Sequence, residues 1–364
     1  MFKKMQVFLV LYLIFSFSTN AQYHSSDYEE PRFVITLPEL LRLIQIHNYG
    51  SYHCDNTFPD GYALGIGDTS CSNHSADFNP QDWVISFEEV LRVVQFYKSG
   101  SYHIDITSED GFQPGNGNEP LPGTETSFLG IPFVWVPSGS FYMGTVKTPT
   151  ELAEIYGGNI SLFTSEYPQH LVVISSGFWM SQTEITQKQW HDIMKNNPSN
   201  NVGDDLPVEN LSWDDCQRFV ENMNKLGNGI FRLPSEAEWE YACRAGSISE
   251  FYFGDDAEQL NDYGWHFYNS DYHTHPVKQK KPNAWGLYDM HGNVWEWCQD
   301  WYDANYYPNS PTLDPTGPAT GFYKVLRGGT CLRTAARCRS AFRSWNAPDL
   351  TMPDQGLRIC RNPD

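Results

Sequence analysis

Two cysteines, Cys331 and Cys338, stand seven positions apart just after Arg327-Gly328-Gly329. Two thiolates held that close suit a soft cuprous ion. Thr330 beside them and Trp295 upstream join them as candidate catalytic residues. The competing reading of both sulfurs is structural, as disulfides. Upstream, the run from Asp289 to Glu296 puts two carboxylates into one short loop. Carboxylates combined with main-chain oxygens are what calcium, a hard cation, favours. The plainer reading makes Asp289 and Glu296 turn and capping residues.

Composition narrows the partners. The chain has 364 residues and a formal charge of -20. A surface this acidic repels nucleic acid and anionic lipid, so neither is expected as a partner. Aromatic residues make up 15% of the chain, with 12 Trp, against 19% charged residues, which is the reverse of a disordered sequence. The start reads as a signal peptide over residues 1–21: Lys3 and Lys4, then the apolar run Val7 to Phe17, then Thr19-Asn20-Ala21 before Gln22. The run is too short to span a bilayer and nothing later is apolar enough, so a secreted protein without membrane insertion is expected. Export makes disulfides the default state for the eight cysteines.

The elements that must position these groups fall into two parts. Residues 22–112 hold two repeats of 50 residues: Val34-Ile35-Thr36 to Gly50-Ser51-Tyr52-His53 returns as Val84-Ile85-Ser86 to Gly100-Ser101-Tyr102-His103. Each copy opens with a capping box, Thr36 with Glu39 and Ser86 with Glu89, and continues with apolar residues at helical spacing. Each is therefore expected to be a short helix with a long polar loop, the two packing on each other. The loop Asp77 to Trp83 resembles a degenerate EF-hand or dockerin calcium loop, although the invariant Gly is absent. Residues 113–127 read as a Pro/Gly/polar linker. In the large domain, 128–363, three helices have capped starts: Thr186 with Gln189, Ser212 with Asp215, and Ser235 with Glu238.

Eight motifs in that domain occur in the order of one family. They run from Phe133 through Gly144, Glu166-Tyr167-Pro168-Gln169-His170 and Thr183-Glu184-Ile185-Thr186, through Pro207-Val208 to Trp213 and Arg232 to Ala242, then Asn283 to Trp297, and Arg327-Gly328-Gly329, closing on Gly356-Leu357-Arg358. This resembles the formylglycine-generating enzyme, or sulfatase-modifying factor, family. The resemblance implies a mixed α/β fold with little regular structure, related to C-type-lectin-like domains. It also implies an oxidase that converts a sulfatase Cys to formylglycine with oxygen and a copper ion held by two cysteines.

The family's catalytic Cys stands fourth after Arg-Gly-Gly, and here that position is Arg333. A guanidinium has no lone pair for a metal and repels a cation. Cys331 and Cys338 are left as a shifted pair. An alignment through Arg343-Ser344-Trp345-Asn346 instead makes Cys338 a half-cystine with Cys243. It implies Cys216 with Cys360, Cys298 with Cys331, and Cys54 with Cys71, among the many pairings open to six cysteines. The resemblance further implies a calcium site from Asp289 and Glu296 with the carbonyls of Gly292 and Val294. A second family calcium site is only partly kept around Asn261. Trp295, Arg327, Arg339, Arg343 and Trp345 are expected to line a cleft for a peptide or glycan. The expectation is a calcium-stabilised binding or adaptor protein, with copper and oxidase activity as the alternative.

Overall fold

The computed structural model describes residues 37–54, 62–65, 67, 69, 84–85, 89–90, 93–94, 102–104, 112–114 and 120–363. The expected signal peptide, the Asp77–Trp83 loop and Cys71 lie outside these. The chain divides into two compact units, Met1–Gly117 and Asn118–Asp364.

In the first unit, α1 spans Leu37–Tyr49, and Glu89, Val90, Val93 and Val94 are helical in the second copy. The long polar loop expected after each helix instead contains a hairpin. Strands β1 (Tyr52–Cys54) and β2 (Tyr62–Leu64) pair antiparallel, and so do β3 (Tyr102–Ile104) and β4 (Phe112–Pro114), fifty residues on. Strands of three residues are too short to show alternation, so periodicity misses them. Leu40, Leu43, Ile46 and Tyr52 of the first copy share one buried cluster with Ile85, Val90 and Val93 of the second.

The second unit begins inside the expected linker. Strand β5 (Glu125–Phe128) pairs with β6 (Ile131–Val136) through a tight turn. The polar composition of β5 reflects an outer strand of the sheet, not a flexible tether. The sheet runs β10 (Phe231–Arg232), β15 (Cys360–Arg361), β9 (Phe178–Ser181), β6, β5. A second sheet, of four strands, has the order β13 (Ser344–Asn346), β12 (Lys324–Arg327), β11 (Trp295–Trp301), β14 (Gln355–Gly356). The three capping boxes expected in this unit are formed, opening α3 (Gln187–Met194), α4 (Trp213–Asn224) and α5 (Glu236–Arg244), and Thr148 with Glu151 forms a fourth on α2 (Pro149–Tyr156); Thr36 and Ser86, expected to cap the repeat helices, lie outside the described residues. Each side-chain cap satisfies backbone N–H groups that have no partner within the helix. Among the described residues no helix is long and apolar enough to cross a membrane.

Between these elements the backbone is mostly loop, and buried charge fixes it. Arg339 is bidentate on Glu166 and also binds Glu250. Arg343 is bidentate on Glu236, and Arg358 on Glu296. Arg327 pairs with Glu240 and donates to the carbonyls of Ser340, Ala341 and Phe342. All four guanidiniums are buried. Three of the residues expected to line a cleft, Arg327, Arg339 and Arg343, are thus internal fasteners. Each carboxylate partner sits far away in sequence, where no local pattern could reveal it.

Candidate functional site

The site region is built where β11 and β12 meet. Glu296 faces Arg327 across the antiparallel pair. Beyond Arg327, Gly328 and Gly329 both take positive φ, 95° and 80°. That left-handed pair turns the chain back over the 289–296 loop. Gly292 N–H donates to the Gly328 carbonyl at 2.8 Å, and Cys331 N–H to the Asn293 carbonyl at 2.9 Å. The metal-type loop and the cysteine segment are therefore knitted together. Gly292 has φ of 102° and lies against the Trp265 carbonyl, into which a Cβ would be driven. Gly292→Ala is expected to cost about 2–4 kcal/mol by combining backbone strain with steric overlap. A melting curve well below wild type is the expected result, and an unchanged one would refute the account.

The expected disulfides of this unit are not present: Cys216, Cys243, Cys298, Cys331, Cys338 and Cys360 are free, buried thiols. The Cys243 sulfur lies 3.6 Å from Ser340 Oγ, so the position facing it is Ser340 and not Cys338. The Cys338 sulfur lies 4.0 Å from the Arg333 carbonyl. The Cys54–Cys71 pairing rests on a residue outside the described ones. Burial pushes Cys331 and Cys338 each up to about 12, so both are protonated thiols at neutral pH. A protonated thiol is a poor metal ligand and a poor nucleophile.

Arg333 is 39% exposed, with a terminal nitrogen 3.8 Å from Asp354 Oδ2. Thr330 Oγ donates to that same oxygen at 3.3 Å. Burial raises Asp354, and the Arg333 charge opposes the rise. Trp295 is core: it is buried, stacks on Phe342 and donates its backbone N–H to the Asp354 carbonyl. His291 is a framework residue. Its Nε2 accepts from Tyr252 N–H, so Nδ1 carries the proton donated to the Cys338 carbonyl at 2.7 Å. Burial pushes its pKa down to about 3, which keeps the ring neutral.

The loop supplies part of a calcium donor set. Asp289 Oδ2 accepts from Lys278 N–H at 2.7 Å, while Oδ1 is buried without a hydrogen-bond partner. Burial pushes Asp289 up to about 6, with the Lys278 hydrogen bond pulling it back. Glu296 is differently placed, because both of its oxygens accept from Arg358 and one also from the Trp239 indole at 2.6 Å. The fit to calcium is therefore good at Asp289 and poor at Glu296. Among the described residues no three His, Cys, Asp or Glu side chains form a metal-binding group. Glu184, read from sequence only as a motif landmark, is fully buried with both carboxylate oxygens unpartnered.

Of the residues expected to line a ligand cleft, only Trp345 reaches solvent. It is 46% exposed, with Tyr323 at 4.1 Å and Tyr302 at 6.0 Å between ring centroids. An open cavity of 570 Å³ adjoins them, lined by Tyr302, Asp303, Pro318, Thr320, Phe322 and Tyr323, with Phe322 88% exposed.

Residues 120–363 match the family described as the sulfatase-modifying factor enzyme 1-like domain. The formylglycine-generating enzyme of Streptomyces coelicolor is 39% identical over 173 residues, which is 43% of this chain and 53% of that protein. The chaperone protein LppX of Paenibacillus barcinonensis is 27% identical over 270 residues, 60% of this chain and 92% of that one. The chain spans about half the length of the formylglycine-generating enzymes it matches. Among solved structures, PvdO from Pseudomonas aeruginosa superposes with a TM-score of 0.59 at 25% identity, covering 67% of this chain and 100% of that one.

Proposed function

The chain belongs to the sulfatase-modifying factor enzyme 1-like family, and from that premise we propose that it is a binding or adaptor protein of the family without the oxidase reaction. The carrying observation is Arg333. It stands where the family's catalytic cysteine would stand and is placed against Asp354, while the two remaining thiols nearby are buried and protonated. Copper(I) chemistry would need two thiolates at one accessible point. Cys331 and Cys338 are the residues that would hold such an ion, and their protonation disfavours it. The similarity to a chaperone over most of that protein's length supports a role in engaging another molecule.

The proposal takes the protein as exported, with a fold related to C-type-lectin-like binding domains and stabilised by calcium. Its ligand is a peptide or a glycan, met at the aromatic face of Tyr302, Phe322, Tyr323 and Trp345. Flat exposed rings beside Asp303 suit a partner with apolar faces and hydroxyl or amide edges.

The deciding test incubates the protein with cuprous ion, oxygen and a sulfatase cysteine peptide, following the peptide by mass. No aldehyde is expected, with six titratable thiols from the large unit after denaturation. Conversion to formylglycine that disappears in Cys331→Ser or Cys338→Ser would overturn the proposal and make the shifted pair an active site.

A further inference from the structure

A cavity of 550 Å³ lies where β9, β10 and β11 meet the start of α5. Ile174, Phe178, Leu233 and Pro315 give it an apolar wall. Its charged residues are Arg232, Glu238, Asp300 and Asp314. Three of these four are spent within the protein. Arg232 is bidentate on Glu238 at 2.6 and 2.7 Å and donates to Asn362 Oδ1 at 2.7 Å. Glu238 also accepts from Ser235 N–H at 2.8 Å. Asp314 accepts from the N–H and the hydroxyl of Ser175 at 2.8 and 2.7 Å. Asp300 is the exception. It is 4% exposed, its Oδ2 accepts from Glu236 N–H at 2.9 Å, and its Oδ1 accepts no hydrogen bond.

That arrangement selects among ligands. Leaving Asp300 aside, the lining still sets two carboxylates against one guanidinium, in a chain of formal charge -20, so an anion is repelled. A hard metal ion wants about six oxygens, and one free carboxylate oxygen is too few. A guanidinium prefers both oxygens of a carboxylate, and here Oδ2 is already taken. An ammonium is a compact point charge that one oxygen can hold, and an alkyl stem behind it suits the apolar wall.

We propose that this cavity binds a primary ammonium group on an alkyl stem, with Asp300 Oδ1 as the anchoring atom. It is a second ligand site, apart from the aromatic face, and it stands whether or not the adaptor reading does. Burial pushes the empty Asp300 up to about 8. In neutral solution binding therefore exchanges a proton for the ammonium: the carboxyl O–H breaks, its proton passes to solvent, and the carboxylate pairs with the ligand. The titratable and charged groups that face Asp300 are Glu236 and Glu238 of α5, Arg232 of β10, Cys298 of its own strand, Tyr306, Lys324 of β12 and Arg343. Lys324 is pushed down only to about 8, and an alkyl ammonium titrates near the ordinary lysine value of about 10.4. From about pH 5.5 to about 7.5 the proton displaced is that of Asp300.

The experiment titrates 1,5-diaminopentane and the peptide acetyl-Gly-Lys-Gly-amide into the full chain by calorimetry, with 1-pentanol and acetyl-Gly-Arg-Gly-amide as controls. Affinity for an amine is expected to rise about tenfold per pH unit across that window, with release of about one proton near its middle. Asp300→Asn should weaken binding by about 30-fold or more at the upper end and remove the pH slope. Ser176→Trp, at an exposed residue of the lining, should weaken binding by obstruction and carries the test if Asp300→Asn does not fold. The stronger of the two amine responses assigns the site to free alkyl amines or to lysine side chains of a polypeptide, and either upholds the inference. It is overturned if neither amine binds, or if pentanol or the arginine peptide binds as well as the amines. Amine binding that ignores pH and is unchanged in Asp300→Asn would overturn it equally.

Discussion

Arg339→Met is expected to destabilise the large unit by about 3–5 kcal/mol, the usual cost of removing one partner from a buried ion pair. The guanidinium holds Glu166 with two bonds, at 2.9 and 2.5 Å, and Glu250 with a third at 2.8 Å. Glu250 keeps Lys147 as a partner after the substitution. Glu166 keeps no cation, and it is buried. The guanidinium joins groups 173 and 89 positions away in sequence, beside a backbone bond from Ser340 N–H to the Glu250 carbonyl at 2.8 Å and a bridge through Thr145. Their loops contain almost no regular structure to hold them otherwise. In a unit of this size each kcal/mol corresponds to about 2–4 °C in melting temperature, so a loss on the order of 10 °C is expected. The discriminating control is Glu166→Gln in the Arg339→Met background. It removes the stranded charge and should restore part of the loss, whereas Glu166→Gln alone should be harmful. A double-mutant cycle by urea denaturation measures this. Additive losses would show that packing of the Arg339 stem, and not the charge pair, carries the effect.

That charge network marks the limit of what the residues disclose on their own. The helices were legible because their signals are local: a hydroxyl three positions before an acid or amide, then apolar residues on one face. Cys216, Phe219, Val220 and Met223 are all buried on α4, as that pattern requires. The family's motifs were legible for the same reason, being short and ordered along the chain. Strands of two to four residues, such as β5 and the repeat hairpins, carry too few positions for a period to register. The cysteines misled through counting. An even number in a chain expected to be exported suggests bridges, but geometry sets Ser340 opposite Cys243, and no count can locate a serine. Trp295 and the arginines looked like cleft residues by type alone. Type cannot separate a guanidinium offered to a ligand from one spent on a buried glutamate. Asp289 was legible as a metal-type residue from its loop, whereas Glu184, buried with both carboxylate oxygens unpartnered, was legible only as a motif landmark, because burial of an acid leaves no local sequence signal.

The stability that Asp300 contributes should fall as pH rises from about 4 to about 8. Burial pushes this carboxyl up to about 8, and the neighbouring Glu236 and Glu238 raise it further, against a hydrogen bond from Glu236 N–H and the charge of Arg343. An acid whose folded pKa lies above its unfolded one contributes stability while protonated. That contribution is complete below its ordinary value near 4 and is lost as pH climbs through the folded value. Each tenfold gain in proton affinity on folding is worth about 1.4 kcal/mol, so the loss across this window amounts to several kcal/mol. Lys324, pushed down to about 8 by burial with Asp300 opposing, carries the opposite sign but acts mainly above pH 8, between its folded value and its ordinary one. His291 and His266, pushed down to about 3 and about 4 by burial, also carry the opposite sign: their contribution is lost as pH falls below their ordinary range. Comparing Asp300→Asn with wild type cancels the histidines and isolates the carboxyl. The amide keeps an acceptor for Glu236 N–H and cannot ionise. Asp300→Asn should match wild type within about 1 kcal/mol at pH 4.5, since both are then neutral at that position. At pH 8.5 it should be the more stable protein by several kcal/mol, read as a higher urea midpoint at unchanged slope. Parallel pH profiles for the two proteins would mean that Asp300 is not the titrating group and that the alkaline loss belongs to another of the buried carboxylates.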